Sequence, residues 1–405
     1  MGHNLVDIKP ETSKQSRSIL SYGLLVMAVT HSLTHVLTRV HTTLFPILKD
    51  EFSLSLQQLG LIAAIPPLCQ TILSIPTGLL CDKIGSKKMI VVSLIFAVFG
   101  SLMASQTLTP VMLIVAVSLI YINTTIYHPA GYSLITKLFK PRDRASALGI
   151  YGAGGTLGFA IGPISLSILM GVFALGWRQA YLFWLLPLGL GIIASLRIKP
   201  ESENRPVDTV EEKTATDATS LFSASLVMFL VFVSIRTVAR GMTESFMALY
   251  LVENRGLSDA LSSFYIGSNS LMGLIAAPTG GFLAVRYGEK RWLLAVLALA
   301  YACFGLAFVV PGLTAFVILY LAYGFFNFLG MGANSAIMAQ LSPSKQRGLG
   351  YALFFLPGSI MGAVAPMIGA FIGETFGLTG IFYASTVIFF IGIGVLRFGV
   401  KVQSS

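Results

Sequence analysis

The sequence predicts an all-α integral membrane protein, with twelve transmembrane helices in two pseudo-symmetric six-helix bundles. Three observations predict it. The 405 residues are 55% hydrophobic and 11% charged, with a mean hydropathy of +0.80, whereas a soluble domain is about one quarter charged. Twelve apolar runs reach the roughly 20 residues that a ~30 Å hydrocarbon core requires. The second six runs repeat the first six at a nearly constant offset.

The first set lies near residues 20–47, 57–80, 88–106, 109–137, 145–173 and 178–198, and the second near 220–251, 261–285, 291–310, 314–341, 347–374 and 378–398. The chain therefore divides into a polar tail over 1–19, a bundle over 20–198, a linker over 199–219, a second bundle over 220–398 and a short tail over 399–405. The linker carries acidic residues, Thr and Pro, which suit a solvated segment. The first apolar run is long enough to span and lacks a small-residue cleavage site, so it reads as a retained helix and not a signal peptide. Cys69, Cys81 and Cys303 are scattered singly, without disulfide or zinc-site spacing, and read as packing residues.

Lys and Arg set the expected orientation. The N-terminus, the C-terminus and the loops after spans 2, 4, 6, 8 and 10 together hold 21 of the 27 basic residues. The opposite loops hold Lys49, Arg178 and Arg255. The positive-inside rule then places both termini and the linker in the cytoplasm, in a multi-pass protein of the cell membrane. The net charge of +10 follows from that topology. Dispersed over short loops, it predicts no nucleic-acid partner.

At a shift of 203 residues Gly78 pairs with Gly281, Gly85 with Gly288, Lys88 with Arg291, Arg144 with Arg347 and Pro163 with Pro366. At 201, His35 pairs with Arg236, Arg39 with Arg240 and Phe45 with Phe246. A duplicated six-span unit is the architecture in which two bundles rock about a midplane site.

The loop after span 2 reads Gly78-Leu-Leu-Cys-Asp82-Lys83-Ile-Gly85-Ser-Lys87-Lys88. Gly78 would let two helices approach, Gly85 would permit a tight turn, Asp82 could meet a helix end or base, and Lys83 and Lys87 would face headgroups. The run resembles the GxLxDRxGR[RK] signature of the major facilitator superfamily, with Lys83 in place of the first Arg. Span 5 carries Gly154, Gly155, Gly158, Gly162 and Pro163, a small-residue face with a bend. It resembles the GxxxGPxxGG motif of that superfamily's proton antiporters, although Leu166 and Ser167 replace the closing glycines. The Tyr127-His128-Pro129-Ala130 run and the His-bearing first span resemble the fosmidomycin-resistance group of drug–proton antiporters, with His35 where that group commonly has Asp. The resemblance implies a transporter working by alternating access, with proton-coupled export of a small anionic or antibiotic-like solute. Uptake of a carboxylate- or phosphate-bearing metabolite is the alternative.

Ionisable side chains at bilayer depth are expensive and mark function by default. Span 1 offers His31, His35 and Arg39 at steps of four, hence on one helical face. Span 7 repeats the device with Arg236, Arg240 and Glu244. In the superfamily these spans line the central cavity, so the resemblance aims the two stripes at each other. Arg39, Arg236 and Arg240 then bind an anion, because a guanidinium fork matches carboxylate and phosphate and stays charged. Glu244, His35 and His128 are the candidate proton carriers. The alternatives are that Glu244 only neutralises Arg240, and that His41 and Arg39 reach the outer interface. Tyr121, Asn123 and Tyr127 of span 4, with Asn327 of span 10, are wall residues or helix-to-helix contacts.

No GxxxxGK[ST] loop is present, so no nucleotide or other cofactor is expected. An alternative from another class is an intramembrane enzyme using His31, His35 and His128 as metal ligands or catalytic bases; His at four-residue spacing can bind zinc, but Ser32 stands where a catalytic Glu would be and no acidic third ligand lies near. The sequence therefore predicts neither a metal nor an enzyme. A transporter-like sensor would want a soluble signalling domain that these residues do not supply. The expected partners are a small solute, protons and the bilayer, for a monomeric protein.

Overall fold

Capping residues and glycines fix where each helix begins and ends. A computed structural model describes residues 20–198, 223–341 and 347–402, apart from the side chains of Asp82, Pro141, Arg142, Ala145 and 347–357. The polar tail, the whole 199–219 linker and the last three residues lie outside the described residues.

The first half runs α1 (Tyr22–Thr43), α2 (Phe45–Phe52), α3 (Leu56–Ile84), α4 (Ser86–Ser105), α5 (Pro110–Leu138), α6 (Pro141–Gly171) and α7 (Trp177–Leu196). The second runs α8 (Ala224–Glu253), α9 (Asp259–Tyr287), α10 (Glu289–Val309), α11 (Leu313–Leu329), α12 (Met331–Leu341), α13 (Arg347–Phe376) and α14 (Leu378–Gly399). Ser21, Thr109, Ser223 and Ser258 accept the backbone N–H three residues on, satisfying a donor the helix cannot. Ser55 and Gln58 form a reciprocal capping box at the start of α3.

Among the described residues eleven spans are long and apolar enough to cross a bilayer, α11 and α12 counting as one broken at Gly330. The twelfth is α1. Its 22 residues suffice in length, and the three histidines and Arg39 that lower its hydropathy are turned inward. The first span, expected to continue to residue 47, stops at Thr43. Pro46 lies in the first turn of a new helix, α2, and cannot donate back to Thr42.

The duplication is structural. α3 and α9 are offset by 203 residues at both ends, and so are α5 and the broken pair α11–α12. Gly85 and Gly288, at φ +94° and +82°, make the matching turns, a backbone state that L side chains rarely adopt.

The halves meet on the face away from the chain ends. Gly60 of α3 packs on Pro366 and Ala370 of α13, and Gly267 of α9 packs on Ala160 and Ile164 of α6. Lys49 Nζ donates to Glu253 Oε1 at 2.6 Å, and Gln57 Nε2 donates to Glu374 Oε2 at 2.7 Å. Toward the face bearing the chain ends, a Cβ added at Gly78, Gly149, Gly152, Gly281 or Gly358 would meet nothing within 4 Å. The bundles are thus zipped on one face and splayed on the other. That splay corrects the expectation for Gly78, which here separates no close helix pair. Gly85 makes the turn expected of it, Lys83 is exposed and Lys87 half-buried. The side chain of Asp82 lies outside the described residues.

Candidate functional site

The site is built on α1, whose position is set by α6. A Cβ on Gly154, Gly158 or Gly162 would fall closer than 3.0 Å to the carbonyl oxygens of Ala28, Ser32 and Val36 respectively. Glycine every fourth residue thus brings two backbones into register along three turns, and Pro163 follows the last of these contacts. Gly158→Leu is therefore expected to lower stability by about 1–3 kcal/mol through overpacking. Gly152→Ala, on the same helix but facing open space, should be neutral or gain about 0.5–1 kcal/mol. Thermal unfolding of the purified variants measures both, and equal loss at the two positions would contradict the packing account.

Arg39 of α1 reaches across to the other half, where its Nη2 donates to Glu244 Oε1 of α8 at 2.7 Å. Arg240, one turn before Glu244, brings its Nε to 3.3 Å from the same oxygen. These side chains sit within spans and bridge the two bundles, yet they are 20% (Arg39), 32% (Glu244) and 51% (Arg240) exposed. They therefore border open space between the halves. Arg39 also lies 5.3 Å over the Phe159 ring, and the phenols of Tyr121 and Tyr320 flank the pair. Arg236, one turn before Arg240 on α8, donates from Nη2 to Asn327 Oδ1 of α11 at 2.9 Å. Its Nε is buried without a partner. Arg39 and Arg240 share one carboxylate and Arg236 meets a neutral amide, a surplus of two positive charges.

The histidines form a second cluster. His31 and His35 of α1 converge with His128 of α5, Nε2 to Nε2, at 3.2 to 3.4 Å. His41 does not reach the interface: it is buried, with neither ring nitrogen partnered.

The other expected wall residues divide. Tyr121 and Asn327 are partly exposed beside the charged group. Tyr127 is fully buried and joins α5 to α1, donating to the Met27 carbonyl at 2.9 Å with its oxygen 2.7 Å from Thr30 Oγ1. Asn123 is likewise sealed, its side-chain amide without a partner. Sequence reading missed Phe159 and Tyr320, whose aromatic character alone does not separate wall from core. It also missed the polar clasps of the closed face.

At that face Glu51 of α2 accepts from Trp177 Nε1 at 2.7 Å and from Arg178, tying α2 to α7. Partial burial pushes the Glu51 carboxyl upward, but these two hydrogen bonds outweigh it and hold the group below its ordinary value.

The family profile described as Major Facilitator Superfamily matches residues 27–275 and 229–404. The "Probable nitrate transporter NarT" of Staphylococcus haemolyticus is 24% identical, over 88% of this chain and 89% of its own length. The "Nitrite extrusion protein" of Bacillus subtilis is 23% identical, over 81% of each. Among solved structures, a bacterial homolog of the human lysosomal transporter Spinster, in an inward-facing and occupied conformation, superposes with a TM-score of 0.80 at 17% identity, covering 93% of this chain and 96% of that one.

Proposed function

The chain belongs to the major facilitator superfamily, as a secondary transporter and not an enzyme, and on that premise we propose that it moves a small anion through the space between α1 and α8. Arg39, Arg236 and Arg240 bind the solute, Tyr121 and Asn327 border it, and Glu244 carries the coupling proton. The observation that carries this reading is the charge surplus at bilayer depth. Two guanidiniums sharing one carboxylate, with a third held by a neutral amide, are costly there unless an anion completes the set.

The name of each relative cited above refers to a small anion, nitrate or nitrite, which supports the same chemistry here. The resemblance of α6 to antiporters favours export. The group-level resemblance to fosmidomycin-resistance transporters extends the proposed solutes to small antibiotic-like anions. The Lys and Arg of the splayed face support a cytoplasmic assignment for it. The open side is then the side from which an exporter loads.

Purified protein in liposomes, offered nitrate, nitrite, small carboxylates or phosphate with and without an imposed pH gradient, tests the reading. Gradient-driven accumulation of one of these anions is expected. Passive equilibration alone would remove the proton, and no anion flux of any kind would remove the site.

A further inference from the structure

We propose that His31, His35 and His128 form a three-histidine binding site for a divalent transition metal of the zinc class, separate from the arginine cluster. The three Nε2 atoms lie 3.2, 3.2 and 3.4 Å apart. Tetrahedral coordination at 2.0–2.1 Å per Zn–N bond separates two ligand nitrogens by about 3.3 Å. The triangle already has that size. Among the described residues this is the one group of three or more His, Cys, Asp or Glu that could hold a metal.

The remaining ring nitrogens fix which atom faces inward. His31 Nδ1 donates to the Tyr151 carbonyl at 2.8 Å, and His128 Nδ1 donates to the Thr124 carbonyl at 2.7 Å. A carbonyl can only accept, so in both neutral rings the proton is on Nδ1 and the Nε2 lone pair points at the other two histidines. One hydrogen on His35 Nε2 can serve one of these lone pairs and leaves the other unmatched. His35 Nδ1 is meanwhile buried without a partner. A metal ion accepts all three lone pairs at once. In His31 and His128 the outward Nδ1–H to backbone-carbonyl bonds are the arrangement that orients histidine ligands and raises their basicity.

The surroundings hold the rings in place. Tyr151 stacks on His31 with centroids 4.0 Å apart, Phe159 packs on His35 at 4.2 Å, and Gly155 leaves room for the His31 ring. His31 and His35 are 5% and 9% exposed, while His128 is more open and gives the approach. Arg39, the positive charge next along α1, is turned to Glu244. All-imidazole ligation suits Zn2+, Cu2+, Ni2+ or Co2+ rather than Mg2+ or Ca2+. Three protein ligands leave a fourth position for water or an anion.

The test uses full-length, tag-free protein in detergent, titrated with Zn2+ against a chromogenic chelator and separately with Co2+. One Zn2+ per chain is expected, with Co2+ giving the visible absorption of a tetrahedral nitrogen site. His31→Ala, His35→Ala and His128→Ala should each weaken Zn2+ binding at least about tenfold, since loss of even a ligand's supporting partner costs 10–100-fold. His41→Ala, on the same helix but outside the cluster, should leave it unchanged. Should a variant fail to fold, the Co2+ spectrum of the wild-type protein decides alone. Absence of stoichiometric Zn2+ binding, an octahedral Co2+ spectrum, or equal affinity in folded His31→Ala and His128→Ala would overturn the proposal and leave three rings sharing a proton.

Discussion

Arg240→Ala is expected to reduce anion flux by one to two orders of magnitude while changing folding stability little. Its guanidinium is the most exposed of the three and holds Glu244 by one contact at 3.3 Å. A half-exposed ion pair contributes about 0–1 kcal/mol, so its loss leaves the bundle intact. A hydrogen bond from a charged donor to the solute is worth about 1.5–3 kcal/mol, and that is the quantity removed. Arg240→Lys should recover only part of the flux, because an ammonium keeps the charge and loses the fork. Initial rates in liposomes measure both. Wild-type rates in Arg240→Ala would show that the anion does not meet this side chain.

Glu244→Gln is expected to abolish uphill, pH-driven accumulation while leaving anion exchange across the membrane in place. The amide keeps an oxygen for Arg39 and preserves the link between halves, but it cannot take up or release a proton. It also raises the uncompensated charge from two to three, so ground-state anion binding should tighten. Counterflow with equal anion on both sides should persist, and the accumulation ratio under a pH gradient should fall to one. Retained accumulation would make the carboxylate a structural clamp for Arg39 and Arg240.

The architecture could be read in the residues because it rests on local rules. A repeat at 203 residues, glycines at matching turns and Ser or Thr at helix starts all act within a few residues of themselves, and Gly85 and Gly288 occupy equivalent positive-φ turns. The stripes on α1 and α8 were visible for the same reason, since steps of four define one helical face. What they touch was not. Arg39 and Glu244 are 205 positions apart, and Gln57 and Glu374 are 317 apart. Those pairings depend on how far the bundles have rocked. His128 can be grouped with His31 and His35 by residue type, but across 97 residues only α1–α5 packing brings the three rings into contact. Tyr121 and Tyr127 sit six residues apart on α5, and only the packing assigns one to solvent-reachable space and the other to a bond with α1.

The account depends on the guanidiniums of α1 and α8 bordering water and not acyl chains. A single thiol introduced by Arg240→Cys, in a background lacking Cys69, Cys81 and Cys303, reports this directly. A membrane-impermeant anionic thiol reagent should label it, faster than a cationic reagent of similar size because Arg39 and Arg236 remain, and the transported anion should slow the reaction. Labelling by a lipid-soluble reagent alone would contradict the account.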